Sequence, residues 1–110
     1  MNANLETEIT QLHAEICAGL ADPNRILILY ALSQGPRNVT EIYGELGMPQ
    51  PLVSRHLKVL RERGMVTTER RGTVVVYSLA DDRLIQALDL LRAVMHDNLE
   101  KRAKLVEALA

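Results

Sequence analysis

The sequence predicts a mainly α-helical domain with one β-hairpin, an α+β arrangement in a single unit of 110 residues. Apolar residues recur at helical spacing over 5–16 and 84–99, and two short helical patterns flank the turn at 47–49. Two segments rich in β-branched residues flank Gly72. Two short helices followed by a hairpin are typical of a winged helix–turn–helix.

The composition excludes several classes of protein. Hydrophobic residues make up 47% and charged residues 25% of the chain, which is typical of a globular protein and not of a disordered one. Cys17 is the only cysteine, which excludes a disulfide framework within the chain and a zinc site built from several thiolates. The N-terminus is polar and acidic, and no apolar run approaches the roughly 18 residues that a membrane span needs. We therefore expect a cytoplasmic protein with no membrane partner.

Two helices are predicted over the first third of the chain. Residues 1–20 are assigned to an N-terminal helix because apolar residues at 4-3-4 spacing share one stripe: Leu5, Ile9, Leu12 and Ile16. Asp22 is a good N-cap for the next helix, and Pro23 suits its first turn. This second helix is apolar on most of its sides, so we expect a buried set: Ile26, Leu27, Leu29, Tyr30 and Leu32.

Residues 39–63 form the predicted helix–turn–helix. Its first helix begins near Asn38, which has Glu41 at the capping-box spacing, or near Thr40, the competing N-cap. Its second helix covers residues 50–63, and its core stripe at 4-3 spacing is Val53, Leu57 and Leu60.

The remainder of the chain is assigned to a wing and a long helix. The β-branched segments on either side of Gly72 predict a hairpin over residues 66–79. The last helix is assigned to residues 81–108, which is long for so small a domain. Its apolar stripe extends beyond what one small core covers: Leu84, Leu88, Leu91, Met95 and Leu99. We therefore expect the first and last helices to form a homodimer.

Charge is unevenly distributed along the sequence. Residues 1–35 carry one Arg and four acidic residues, for a net charge of −3, and residues 74–110 carry five basic and six acidic residues, for −1. Residues 36–73 carry seven Lys or Arg and four Asp or Glu, for +3. The predicted helix–turn–helix and hairpin therefore form the basic part of an otherwise acidic chain, as expected of a surface that faces phosphates.

The candidate DNA-binding residues lie in this basic part. On the second helix of the helix–turn–helix they are Gln50, Ser54, Arg55, His56 and Lys58, and the other candidates are Thr40, Arg70 and Arg71. In a major groove Gln reads adenine, Arg reads guanine, and Ser reaches a base or a phosphate. The alternatives are a solvated helix face, a His56 ring packed against the hairpin base, a plain N-cap at Thr40, and a charged soluble turn at the two arginines.

Catalysis finds little support in the sequence. There is no Gly-rich phosphate loop and no pair of carboxylates in a cleft-like context. His13 and Cys17 have the i, i+4 spacing of a thiol–base pair, but no third group orients them. We expect a protein that is not an enzyme and has no cofactor, and the rival class is a winged helix used for protein–protein assembly.

The stretch LGMPQPLVSRHLKVLRERGMV, residues 46–66, resembles the ArsR/SmtB family of bacterial winged-helix repressors. The resemblance extends through LADPNRILILYAL (20–32), VTEIYGELG (39–47) and ERRGTVVVYSL (69–79). It implies a homodimer held by the first and last helices, with the helix at 50–63 in a major groove of operator DNA and the hairpin as the wing. It also implies that an effector releases the DNA. Many members have Ser where this chain has Pro49, which cannot cap a helix through its side chain.

The sensor patterns of the family are incomplete in this chain. The helix before the turn has no thiol, the last helix lacks the first His of the D-x-H pattern, and a cysteine pair is absent. A residual metal or thiol site would form if His13 and Cys17 of the first helix meet His96 and Glu100 of the last helix across a dimer. The alternative is a small buried Cys17 and histidines at an interface or surface. The effector stays unknown.

Overall fold

The computed structural model describes residues 2–110. Within them the chain forms five α-helices and a three-stranded antiparallel sheet. The elements are α1 (Ala3–Leu12), a π-helical turn (His13–Cys17), α2 (Pro23–Ser33), β1 (Arg37–Asn38), α3 (Val39–Leu46), α4 (Gln50–Glu62), β2 (Val66–Arg71), β3 (Val74–Leu79) and α5 (Arg83–Leu109).

Side-chain caps fix the starts of α2 and α3. The Asp22 carboxylate accepts the Asn24 N–H at 2.8 Å, and Pro23 occupies the first position of α2, as predicted. At α3 the Glu41 N–H donates to Asn38 Oδ1 at 2.8 Å, and the Asn38 N–H donates to Glu41 Oε1 at 3.0 Å. This capping box resolves the two alternatives in favour of Asn38.

Two glycines in the left-handed conformation delimit α4. Gly47 has φ +65° and ends α3, and Gly64 has φ +71° just after α4, a conformation that costs Gly little because it has no Cβ. Between them α4 begins at Gln50 as predicted and ends at Glu62, one residue early. Pro49 holds the N-cap position, where no side chain of the described residues 2–110 bonds to the helix N–H groups.

The core lies where α2, α3 and α4 meet the sheet. The predicted stripe Val53, Leu57 and Leu60 is fully buried, together with Ile28, Leu29, Ile42 and Met65. The expectation that α2 is buried on most sides is wrong for Leu27, which is 48% exposed. Successive helical residues are about 100° apart. The face of α2 that turns Ile28 and Leu29 inward therefore leaves Leu27 outside.

The hairpin pairs β2 with β3 from Val66↔Leu79 to Arg71↔Val74, around Gly72 at φ +66°. The third strand was not predicted: β1 pairs with β3 through Arg37↔Tyr77 and Asn38↔Val76, which gives the order β1-β3-β2. Two residues are too few to show a period-2 pattern, so only their tertiary contacts identify them as a strand.

The first and last helices project apolar side chains that this chain does not cover. Leu88 is the last buried residue of α5, and α1 has no buried residue. Eight exposed side chains of these helices make up what we call the outer apolar face: Leu5, Ile9, Leu12, Leu90, Leu91, Val94, Met95 and Leu99. None of the helices within residues 2–110 combines the length and the apolar character that crossing a bilayer requires.

Candidate nucleic-acid interface

The outward side of α4 is polar and basic. Gln50, Ser54 and Lys58 follow each other at i, i+4 and i+8, so they form one exposed line on the side away from the buried stripe, with the exposed Arg55 beside it. Within residues 2–110, Arg55 and Lys58 make no ion pair and no side-chain hydrogen bond. Both cations are therefore available to an external anion or base edge.

The N-terminus of α4 adds a second attraction for anions. Helix dipoles place partial positive charge at this end, and the first N–H groups have no partner inside the helix. Because Pro49 supplies no capping side chain, a phosphate oxygen can take that place.

Thr40 lies exposed in the first turn of α3. Since Asn38 caps this helix, the Thr40 hydroxyl is not needed as an N-cap, and it has no hydrogen-bond partner among the described residues. The structure thus leaves Thr40 free for an external contact.

The two wing arginines are exposed beside the hairpin turn. Arg71 donates to Glu69 Oε2 at 3.2 Å, with both side chains more than half exposed. Ion pairs between exposed side chains contribute little to stability because water screens them, so Arg71 can exchange Glu69 for a phosphate. Arg70 makes no ion pair with any residue from 2 to 110.

The expectation that His56 contacts DNA is not supported by its position. The ring is only 4% exposed. Its Nδ1 lies 3.4 Å from an Arg25 nitrogen, and its Nε2 lies 3.9 Å from Asp22 Oδ2. It therefore packs against the start of α2 and is too buried to reach a base edge. The physical reason is its register, because it lies on the same side of α4 as Val53 and Leu57.

Burial lowers the pKa of His56. The charges of Arg25 and Arg55 act in the same direction, and the Asp22 carboxylate opposes them. The ring is accordingly neutral at pH 7. Since Arg25 can only donate, Nδ1 is the acceptor and the proton resides on Nε2, which has no hydrogen-bond partner among residues 2–110.

The candidate sensor residues do not form a site within one chain. His13 and Cys17 lie exposed on the first helix, and His96 and Glu100 lie exposed on the outer half of α5. In the part of the chain that the structure describes, no three His, Cys, Asp or Glu side chains gather at a spacing that could hold a metal ion. The exposed thiol differs from the alternative of a small buried Cys17, and a site shared between two copies stays a prediction.

Sequence reasoning missed two arginines that link elements. Arg25 connects α2 with the end of the first helix and with His56, and Arg63 connects the end of α4 with the π-helical turn. A sequence signal existed for Arg25, since it is the one charged residue within α2 and a charge on a mostly buried helix needs a partner.

Comparison with known proteins identifies the family. Residues 22–68, from the N-cap of α2 into β2, match the model of the bacterial regulatory protein, arsR family. The transcriptional repressor SmtB of Mycobacterium tuberculosis is 45% identical over 89 residues, which are 81% of this chain and 64% of that protein. The regulator NmtR of the same organism is 39% identical over 95 residues, 86% of this chain and 78% of NmtR. A probable mercury resistance operon repressor of Streptomyces lividans is 35% identical, covering 77% of this chain and 68% of that protein.

Solved structures agree with this family and with the fold. Rv0081 of M. tuberculosis superimposes with a TM-score of 0.77 at 33% identity, over 86% of this chain and 96% of that one. A homodimeric winged helix–turn–helix DNA-binding domain of Mycobacterium bovis gives 0.76 at 28% identity, over 90% and 92%. The transcriptional repressor BigR of Xylella fastidiosa gives 0.72 at 28% identity, over 86% and 96%.

The predicted winged helix–turn–helix is thereby confirmed, and the relatives are regulators of transcription, not enzymes. The chain spans about 64% of the length of SmtB. The chain belongs to the ArsR family of bacterial transcriptional regulators, as the resemblance of residues 46–66 implied.

Proposed function

We propose that this protein is a homodimeric repressor that binds double-stranded operator DNA through α4, its recognition helix. The observation that carries the proposal is the outward face of α4, where Gln50, Ser54, Arg55 and Lys58 are exposed and both cations are unpaired within residues 2–110. A face of this length and polarity fits a major groove, in which Gln50 would read adenine and Arg55 guanine.

The remaining candidates position the protein on the backbone. Thr40, exposed at the start of α3, would offer a hydroxyl to a phosphate, and Arg70 and Arg71, exposed on the wing, would contact a second stretch of the DNA backbone. We assign the single unit 1–110 to these roles: 39–63 reads DNA, 66–79 is the wing, and 1–20 with 81–108 forms the dimer.

The outer apolar face supports the dimer. With roughly 180 Å² for a fully exposed aliphatic side chain, its eight members offer roughly 750 Å² per copy, close to the ~800 Å² that each partner buries in a standard interface. Monomers rarely expose apolar patches larger than a few hundred Å², and larger ones mark interaction sites. The M. bovis neighbour is homodimeric. A two-fold dimer would hold its recognition helices about 34 Å apart and require a two-fold operator.

Repression would follow from occupancy of promoter DNA, in the cytoplasm where bacterial DNA is found. The relatives SmtB and BigR are named repressors. An effector would release the DNA. The exposed Cys17 and the mercury-linked relative favour a second candidate, a metal- or thiol-responsive sensor that uses Cys17.

The test begins with selection of bound sequences from random double-stranded DNA, followed by fluorescence anisotropy at several salt concentrations. We expect the affinity to fall steeply with salt, by about 0.9 in log K per log salt for each phosphate contacted. Weak binding without sequence preference would favour the protein–protein assembly module instead.

Three variants separate reading from positioning. Arg55→Ala should relax the preference at one base pair, at a cost of about 1–3 kcal/mol for the preferred sequence. Arg71→Ala should weaken binding to all DNA sequences alike and lower the slope of log K against log salt by about 1. Lys104→Ala, on the exposed outer half of α5 and half a turn from Met95, removes the same charge away from both elements and serves as the control. Equal loss on every sequence for Arg55→Ala would contradict its reading role.

A further inference from the structure

The π-helical turn at the end of the first helix is held by the recognition helix. In this turn the Ala18 N–H donates to His13 O at 3.0 Å, five residues back, and such turns occur often at functional sites. Arg63, which directly follows α4, donates from one guanidinium nitrogen to the carbonyl oxygens of Ala14 at 2.5 Å and Glu15 at 3.1 Å. One side chain thus joins the two elements directly.

The two segments also touch at Gly19, which is buried. A Cβ at this position would lie 2.7 Å from Met65 Sδ and 3.0 Å from Arg63 Cδ. Both distances are shorter than ordinary van der Waals contacts. The chain can therefore approach the end of α4 this closely only with glycine here.

Arg25 makes a second connection between the same elements. Its Nε donates to Gly19 O at 2.7 Å, one terminal nitrogen donates to Ala18 O at 3.2 Å, and the other lies 3.4 Å from His56 Nδ1. One planar guanidinium therefore contacts the end of the first helix and the buried side of the recognition helix. Charge-assisted bonds from a rigid fork of donors fix orientation as well as distance.

We propose that Arg25 and Arg63 are positioning residues that fix the angle between the first helix and the recognition helix. Neither needs to touch DNA. The inference rests on the proposed function, because the angle matters only if the first helix joins two copies. Leu5, Ile9 and Leu12 of the outer apolar face belong to this first helix, so its orientation relative to α4 sets where the two recognition helices lie in a dimer.

The most direct test measures the distance between the two recognition helices without DNA. Ser54→Cys in a Cys17→Ser background carries a nitroxide spin label, and double electron–electron resonance on the dimer gives the distribution of label distances. Arg63→Met removes the donors and keeps a side chain of similar reach. Arg61→Met is the matched control, since the exposed Arg61 lies on the same helix and its side chain bonds to no residue from 2 to 110.

We expect a single narrow peak in the distance distribution of the spin-labelled protein with Arg63 intact and of its Arg61→Met variant. Arg63→Met should broaden the distribution to at least about twice the control width. Without the hydrogen bonds of Arg63, the first helix samples several orientations relative to α4. Arg63→Lys retains a charged donor and should recover part of the narrow peak. Gly19→Ala keeps every charge and disturbs the same contact, so it replaces Arg63→Met if that variant does not fold. Equal widths in the disturbed variants and the control would overturn the proposal. A sample that shows no distance between two labels, because no dimer forms, would also overturn it.

A DNA experiment separates this inference from the proposed function. On operators whose half-sites are moved apart or together by one base pair, the wild type should bind its preferred spacing about tenfold more tightly than the others. Arg63→Met should lose most of that preference, whereas Arg61→Met should keep it. A broadened label distribution together with no sequence-specific DNA binding by the wild type would retain the positioning role and refute the operator. Sequence-specific binding with unchanged spacing preference in Arg63→Met would retain the operator and refute the positioning role.

Discussion

Replacement of Met95 by Glu tests the proposed dimer. Met95 lies in the middle of the outer apolar face on α5 and is 50% exposed in the single chain. That exposure is roughly 100 Å² of apolar surface, and its burial at about 25 cal/mol per Å² would contribute about 2.5 kcal/mol per copy. Two-fold symmetry uses the residue twice, so Met95→Glu removes about 5 kcal/mol, and the dimer dissociation constant should rise by more than about a thousandfold.

The burial of two carboxylates adds to this loss, because an unpaired charge is costly in an apolar interface. The assay is sedimentation equilibrium over micromolar concentrations, combined with DNA-binding anisotropy on the selected operator. Lys104→Gln is the matched control, because it lowers the net charge by one, as Met95→Glu does. Lys104 is exposed on the same helix, and nine residues at about 100° each place it half a turn away from Met95. The control should stay dimeric.

Two results would refute the reasoning. A Met95→Glu protein that remains dimeric at the wild-type dissociation constant would exclude this face of α5 from the interface. A loss of dimer in Lys104→Gln as large as in Met95→Glu would show that the change in net charge, and not its place on the helix, disrupts assembly. A monomeric Met95→Glu protein should also bind the two-fold operator far more weakly, because each monomer then binds its half-site independently of the other.

Three further predictions concern pH, capping and metal. Burial holds the pKa of His56 in the native protein below the value of about 6.5 that it has in the unfolded chain. The neutral ring therefore contributes fully to native stability above a pH of about 6.5, and this contribution is lost as the pH falls from about 6.5 through the native pKa. Urea unfolding from pH 7.5 to 5.0 should therefore show the stability of wild type converging on that of His56→Gln, and parallel curves would contradict the burial argument. Asn38→Ala should lower the free energy of unfolding by about 1 kcal/mol, several degrees in Tm, whereas Thr40→Ala should leave it unchanged, and equal losses would return the cap to Thr40. Stoichiometric Zn²⁺ should leave DNA affinity unchanged, because no three metal ligands gather within residues 2–110, and release that Cys17→Ser abolishes would instead reveal a site shared between two copies.

Helical spacing predicted most of the fold because it depends on one element at a time. The stripe Val53, Leu57 and Leu60 identified both the helix and its buried side. The caps at Asp22 and Asn38 were visible because N-capping is a contact over two or three residues. The exposed candidates on α4 followed from the same helical arithmetic, since whatever is not on the core side faces outward.

The errors arose where a contact between distant elements decides the outcome. The strand β1 exists only through its pairing with β3 across about 40 residues of sequence. Leu27 is apolar yet exposed, because the layers of the fold cover only one side of α2. The π-helical turn leaves the apolar pattern of the first helix intact, so the spacing that predicted one continuous helix gave no sign of it.

His56 is the instructive case, because the sequence did contain its position. Val53, His56, Leu57 and Leu60 follow i, i+3, i+4 and i+7, the spacing of one buried helical face. The polar side chain favoured the prediction of an exposed DNA contact. The position of a residue along the helix, however, determines which way its side chain points, and the residue type determines only the energetic cost of burying it. A buried imidazole needs a donor or acceptor, and the only charged residue of α2, Arg25, provides it. The same guanidinium bonds to the end of the first helix, so the partner that makes His56 tolerable inside the core also connects the recognition helix to the proposed dimer.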